Sequence, residues 1–200
     1  MTPSASRNSA ATKCQFNLFE SKSGFRQTTR VKLTKFFAIL LLPALLIGCK
    51  KAEPAAPASD QPIMPTQAQP MLPTMKIYLG AETLDAELAT TPQEETTGLM
   101  FRTNITDQTA MLFVFPQPYQ ASFWMKNCPI SISAAYIDPS GVIEEIHHLE
   151  KNDTNAVVAA SANIQYVLEV NDGWFARHNI NTGMVVQTEK GTLSQTFFGK

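Results

Sequence analysis

Charge is scarce in this chain, and it is unevenly spread. Only 16% of the 200 residues are Asp, Glu, Lys or Arg, well below the roughly one quarter usual in soluble domains. Residues 1 to 48 hold seven of the sixteen basic residues and a single acid, Glu20, which leaves nine basic against sixteen acidic residues in the rest. That longer part is acidic and has no basic cluster, so it repels phosphate backbones and nucleic-acid binding is not expected. Cysteine is nearly absent: Cys14, Cys49 and Cys128 are too few for a disulfide framework. Three histidines and nine scattered glycines supply no phosphate-cradling loop, no dinucleotide fingerprint and no Ser-His-Asp order, and nothing calls for a cofactor. No internal repeat is visible.

What is present divides the chain into parts. Thr34 to Gly48 reads TKFFAILLLPALLIG, about a dozen apolar residues behind Arg30, Lys32 and Lys35. This is the basic region and short hydrophobic region of a secretory signal, too short to span a bilayer comfortably. Its end, Leu46-Ile47-Gly48-Cys49, resembles the lipobox of bacterial lipoproteins, whose cysteine is acylated and becomes the new N-terminus. The resemblance implies a lipoprotein carrying a palmitate-type membrane anchor at Cys49, with its domain in the periplasm of the cell envelope. Lys50 stands where aspartate is associated with inner-membrane retention, so the outer membrane is implied. The plainer alternative is an ordinary cleaved signal followed by an incidental cysteine.

Residues 1 to 30 fit a signal poorly, because some thirty polar residues precede the charged region. Either translation begins later, with Val31 opening an ordinary signal, or residues 1 to 48 are an extended n-region plus signal. From Cys49 to Pro73 the chain is mostly Ala, Pro, Gln and Ser, a composition that buries too little apolar surface to offset ordering entropy, and it reads as a disordered tether.

The folded domain is expected over 74 to 190. Met75 to Leu79 and Leu84 to Ala89 read as a hairpin about Gly80. Thr91 caps a short helix with Pro92 at its first position and acids in its first turn, ending near Gly98. The continuous apolar run Met111 to Phe115 suits a strand covered on both faces. Phe123 to Asn127 reads as a strand that puts Trp124 and Lys126 on one face and Phe123, Met125 and Asn127 on the other. A hairpin, Ile130 to Ile137 with Val142 to Leu149, turns at Asp138-Pro139-Ser140-Gly141. A polar connection over 152 to 161, a strand at Tyr166 to Val170, a helical turn at 173 to 178 and a strand at Met184 to Gln187 complete it. Residues 191 to 200 read as a flexible tail. The fold class is mainly β: a single compact β-barrel or sandwich-like domain with one or two short helices.

Glu87-Leu88-Ala89, Gly98-Leu99-Met100-Phe101-Arg102, Met111 to Phe115, Trp124-Met125-Lys126-Asn127 and Val167-Leu168-Glu169-Val170 with Gly173 resemble the ordered motifs of the family called domain of unknown function 192. The match spans essentially the whole folded domain. It implies a compact, mainly β, often exported domain without an established activity. Ala110, Ser133 and Met184 stand where that family commonly has glycine, aspartate and aspartate.

Arg102 and Lys126 sit inside apolar motifs rather than in loops. With Asn127 they make a small anion or carboxylate pocket with Trp124 as a stacking wall, or else they pair with Glu87 and Glu169 and fix strand register. Cys128 reads as a small buried residue, not a nucleophile. His147 and His148 point to opposite faces of a strand, and His148 with Glu150 lacks a third ligand unless His178 supplies it, so no metal site is expected. Met100, Met111, Met125 and Met184 lie among Leu and Phe and read as gap-filling core rather than copper ligands. The function favoured by these residues is non-catalytic binding of a small polar or anionic ligand, or of an envelope partner. The alternatives are a hydrolase or lyase acting on an envelope glycan or peptide through Glu87 or Glu169, and a structural or assembly protein with no ligand site.

Overall fold

The computed structural model describes residues 61–199. The signal, the acylation of Cys49, the translation start and the first part of the tether therefore lie outside the described residues. Ten strands and three short helices make a mainly β, sandwich-like domain. The chain runs β1 (Thr74–Leu79), β2 (Glu82–Ala89), α1 (Pro92–Thr97), β3 (Thr109–Tyr119), β4 (Ser122–Phe123), β5 (Ile132–Ile137) and β6 (Ile143–Leu149). It continues as β7 (Val157–Val158), β8 (Ile164–Asn171), α2 (Trp174–Arg177), β9 (Val186–Thr188), β10 (Gly191–Thr192) and α3 (Leu193–Phe198).

Eight strands form one sheet in the order β10-β9-β1-β2-β3-β8-β5-β6, and β4 pairs with β7 beside it. Only the pair β2 and β3 is parallel, because α1 carries the chain across between them. The other pairings are antiparallel. The sheet curls until the residue before β6 meets the residue before β9 at one bridge, Val142 to Val185. Backbone hydrogen bonds flank that bridge, Ile143 N to Met184 O at 2.9 Å and Val186 N to Gly141 O at 2.8 Å. A single bridge is not a ladder, so the sheet is not a closed barrel. Gly141 is required at this contact: its φ is 89°, and a Cβ there would lie 3.0 Å from the Val186 carbonyl.

The first half of β3, and β5 and β8, are buried without alternation because both faces of the sheet are covered there. Leu112, Leu168, Ile77 and Val186 share one core with Trp174 and Phe175 of α2 and Leu193 of α3. Met111, Phe113, Val167 and Tyr136 share the other with Leu99, Met100, Met125 and Cys128. α1 begins as its sequence predicts, with a reciprocal capping box between Thr91 and Glu94 and Pro92 in its first turn.

Three expectations are corrected. The strand expected over Phe123 to Asn127 stops after Phe123, because the Cys128 N–H bonds the Met125 carbonyl at 3.0 Å and Asn127 takes a φ of 61°. Those two features form a turn, and asparagine tolerates the left-handed position in it. The tether was expected to be disordered as far as Pro73, yet residues 61–73 are held on the domain by its polar side chains. Gln93 brackets Ile63, donating to its carbonyl at 2.8 Å and accepting from its N–H at 2.7 Å. Gln69 donates to Gly98 O at 2.9 Å, and the Leu72 N–H donates to Glu87 at 2.8 Å.

The third correction is the tail. Gly191 to Phe198 forms β10 and then α3, which gives the domain three short helices rather than one or two. α3 opens on a capping box between Thr192 and Gln195 and buries Leu193 completely. Leu193→Ala is expected to lower stability by about 2–5 kcal/mol, read as a reduced urea midpoint at unchanged slope. An unmoved midpoint would return this segment to a loose tail.

Candidate functional site

β8 runs between β3 and β5, and Glu169 stands in its middle, opposite Met111 on one side and Ala134 on the other. Its parity puts the side chain on the face of Val167 and Phe113, away from the core that holds Leu168. There it reaches a cavity of about 230 Å³. Glu169 is 5% exposed, and no hydrogen bond or ion pair to its carboxyl is present among the described residues. Loss of water without any compensating partner pushes this acid up to about 8.

The walls come from four parts of the chain. β3 contributes Phe113 and Phe115, and Tyr119 lies beyond them. β4 and the turn after it contribute Phe123, Trp124, Met125 and Cys128. α1 contributes Glu95 and Thr97, followed by Gly98, Leu99 and Met100, and Met64 closes in from the segment before β1. The rings pack edge to face: Phe113 to Phe123 at 5.1 Å and 87°, Phe115 to Tyr119 at 4.8 Å and 77°. Gly98 has a φ of 47°, and a Cβ there would stand 3.2 Å from the Phe113 ring, so glycine is what lets α1 end against the aromatic wall.

Glu95 is the second acid of the cavity. Burial, with Glu94 beside it, pushes it up to about 7. Glu94 itself turns back to the N–H groups of Thr90 and Thr91, each at 3.0 Å, which hold its carboxyl below the ordinary range. Cys128 is pushed up to about 12 by burial and by the nearby Glu169, so its thiol stays protonated and is a poor nucleophile.

The residues singled out in the sequence separate into two places. Trp124 and Glu169 line the cavity. Arg102 and Glu87 do not; they form a two-pronged pair, Nη1 to Oε1 at 3.1 Å and Nη2 to Oε2 at 2.9 Å, that also receives the Leu72 N–H. This pair pins the segment before β1 to β2, which is the register role weighed against an anion pocket. Lys126 also lies outside the cavity lining, with Nζ 5.2 Å from the Trp124 ring centroid, and no ion pair joins it to Glu169 among the described residues. Asn127 shapes the turn: its carbonyl accepts from Phe101 N at 2.7 Å, and its amide lies 3.9 Å from Met100 Sδ. Phe123, Trp124 and Met125 reach one cavity because the chain leaves the strand there, which a two-residue alternation does not foresee.

The histidines are dispersed. His148 lies between Asp172 at 2.7 Å and Glu150 at 3.2 Å, His147 meets Glu145 at 2.8 Å, and His178 stacks on Trp174 at 4.4 Å. Among the described residues no group of three His, Cys, Asp or Glu side chains could hold a metal ion. Sequence reasoning missed Glu95, Tyr119 and the paired Phe113 and Phe115 as lining residues. For Glu95 a signal existed: Glu94 is committed to the capping box, which leaves its neighbour as an unassigned acid beside the apolar Gly98-Leu99-Met100.

No curated protein matches the chain. Among solved structures, a Sinorhizobium meliloti protein described as a candidate transcription regulator is 25% identical, with a TM-score of 0.57 over 60% of this chain and 98% of its own. A Novosphingobium aromaticivorans protein of unknown function is 28% identical, with a TM-score of 0.56 over 66% of this chain and 98% of its own. The family described as DUF192, Uncharacterized ACR, matches residues 75–188, the stretch from β1 to β9 that carries Glu95, Trp124 and Glu169, and the chain belongs to that family.

Proposed function

We propose that this chain is a lipid-anchored module of the bacterial cell envelope that binds a small ligand, without turnover, in the cavity beneath Trp124. The observation that carries the reading is the cavity itself: about 230 Å³, walled by aromatic rings, with an acid at its floor that has no partner among the described residues. Concave, mostly apolar sites with a few convergent polar groups are where small ligands bind. The binding surface first expected, Arg102 with Trp124 and Lys126, gives way to Trp124 with Glu169, because Glu87 already occupies the Arg102 guanidinium. A purely structural role gives no reason for a buried acid to face open space.

The anchor is read from Leu46-Ile47-Gly48-Cys49, with the outer membrane favoured by Lys50. The acidic balance after residue 48 argues against nucleic acid as the ligand, so the description of the Sinorhizobium meliloti relative is not extended to this chain. A second reading, hydrolase or lyase action on an envelope glycan or peptide, is favoured by one observation: two acids held up to about 7 and about 8 share one cavity. It ranks behind binding because both acids are raised together rather than set apart as one acid and one carboxylate, as glycan hydrolysis needs. For a peptide, the described residues of the cavity include no nucleophile with an activating base. No histidine lines it, and its thiol is held up to about 12. Turnover of a glycan or peptide that Glu169→Gln abolishes would reverse this order.

Two outcomes test the proposal. Cys49→Ala is expected to release the chain from the membrane fraction or to block its maturation, while the domain still folds with an unchanged thermal midpoint; retained lipid labelling of that variant would remove the anchor. The second is a pH dependence. Glu169 and Glu95 have higher proton affinity folded than unfolded, so their contribution to stability is complete below the ordinary value of 4.5 and is lost as pH rises to about 8. Glu169→Gln is expected to flatten the fall in thermal midpoint between about pH 5 and pH 8.5. The slope that remains belongs to Glu95 and to His148, which Asp172 and Glu150 hold above its usual value. A slope unaltered by Glu169→Gln would show the carboxyl to be ordinary.

A further inference from the structure

The cavity has charge of one sign. Glu95 and Glu169 line it, and among the described residues no Lys, Arg or His does. An anionic ligand would have to approach two acids, and a neutral apolar ligand would leave Glu169, 5% exposed and without a hydrogen bond, still unpartnered. The remaining walls are aromatic, and an aromatic face carries partial negative charge that attracts cations, quaternary and alkylated ammonium groups above all. One face of Trp124 already holds a cation of this kind, the Lys126 ammonium at 5.2 Å. Size adds a limit: about 230 Å³ lies below the ~300–1,000 Å³ of sites that enclose drug-sized molecules. What enters is the size of a head group.

Resting on the reading of the cavity as a ligand site, we propose that it seats a small alkylated ammonium cation, its methyl or methylene faces on the aromatic rings and its charge against Glu169 and Glu95. Among the described residues the groups facing Glu169 offer it no positive charge. Cys128 and Tyr136 are neutral with raised values, and the Tyr136 hydroxyl is spent on the Val157 carbonyl at 2.8 Å. Among the described residues the charge that acts on Glu95 is that of Glu94, also an acid. Binding is therefore coupled to ionisation: the carboxylic acid becomes carboxylate as the cation enters, and the proton leaves to solvent. Affinity rises with pH, and at neutral pH each binding event releases up to about one proton per acid.

Isothermal titration of the full chain tests this with three probes: choline, its neutral isostere 3,3-dimethylbutan-1-ol, and acetate. Choline is expected to saturate one site, about tenfold or more tightly at pH 9 than at pH 6, as ionisation of an acid near 8 requires. In two buffers of different ionisation heat at pH 7, its apparent enthalpies should differ by the released proton. Glu169→Gln, the isostere of the protonated acid, should weaken choline about tenfold or more and leave the alcohol unchanged or tighter. Flotation of the Cys49→Ala chain with phosphatidylcholine vesicles, displaced by free choline, would assign the head group to lipid. Saturation by choline without flotation would assign it to a free solute; both results sustain the ammonium seat. The proposal is overturned if the alcohol or acetate binds as tightly as choline at pH 9, or if Glu169→Gln retains choline affinity. If none of the three saturates, the reading of the cavity as a ligand site falls as well.

Discussion

The burial of Glu169 is the constraint around which the rest of this domain is arranged. A carboxyl taken from water with no donor or cation beside it is among the most costly groups to enclose, and ordinarily it remains neutral instead. β8 is the strand least able to relieve it, because β3 and β5 flank it and both faces of the sheet are covered. The one relief available is the open space that Glu169 faces. Cavity and acid explain each other: filling the cavity with side chains would strand the carboxyl, and a Leu at 169 would remove any reason to keep the cavity open.

Keeping that space open requires the chain to leave regular structure on one side of the sheet. α1 has six residues and ends at Gly98, whose missing side chain admits the Phe113 ring. The segments 98–102 and 124–128 are then held to each other by the Phe101 N–H on the Asn127 carbonyl, with both residues in the left-handed region, φ 62° and 61°. Phenylalanine rarely accepts that conformation, which concentrates local strain at the rim of the cavity. The Arg102 and Glu87 pair lies behind this rim and ties the incoming chain to β2. Its role is to fix the frame, and this separates the two charges from the two acids of the cavity.

Much of the fold is legible because burial leaves periodic traces. The continuous apolar run Met111 to Phe115 in β3, the loosely alternating stretch of β5, the short apolar run of β8 about Glu169 and the cap of α1 are local signals, and the elements stand on them. Residues 61–73 and 191–199 are not legible in the same way. They are held by single polar side chains far away in sequence, Gln93 and Glu87 for the first, and by a capping box and one buried leucine for the second. Of the candidate site, Trp124 and Glu169 are legible, one as an indole in an odd place and the other as an acid inside Val-Leu-Glu-Val. Glu95 is legible only indirectly: an acid at the start of a helix already has an electrostatic explanation, and only the commitment of Glu94 to the capping box leaves its neighbour unassigned. The turn at Met125 to Cys128 is hidden by apolar neighbours that mimic a strand, and only the asparagine hints at it.

The central claim is that Glu169 is an uncompensated acid at the floor of the cavity. Its side-chain carboxyl carbon, assigned in a ¹³C spectrum by the signal that Glu169→Gln removes, can be titrated directly in the folded chain. The account predicts a midpoint near 8. A midpoint at the ordinary value of about 4.3 for glutamate would mean that the carboxyl is solvated or paired, and would contradict the account.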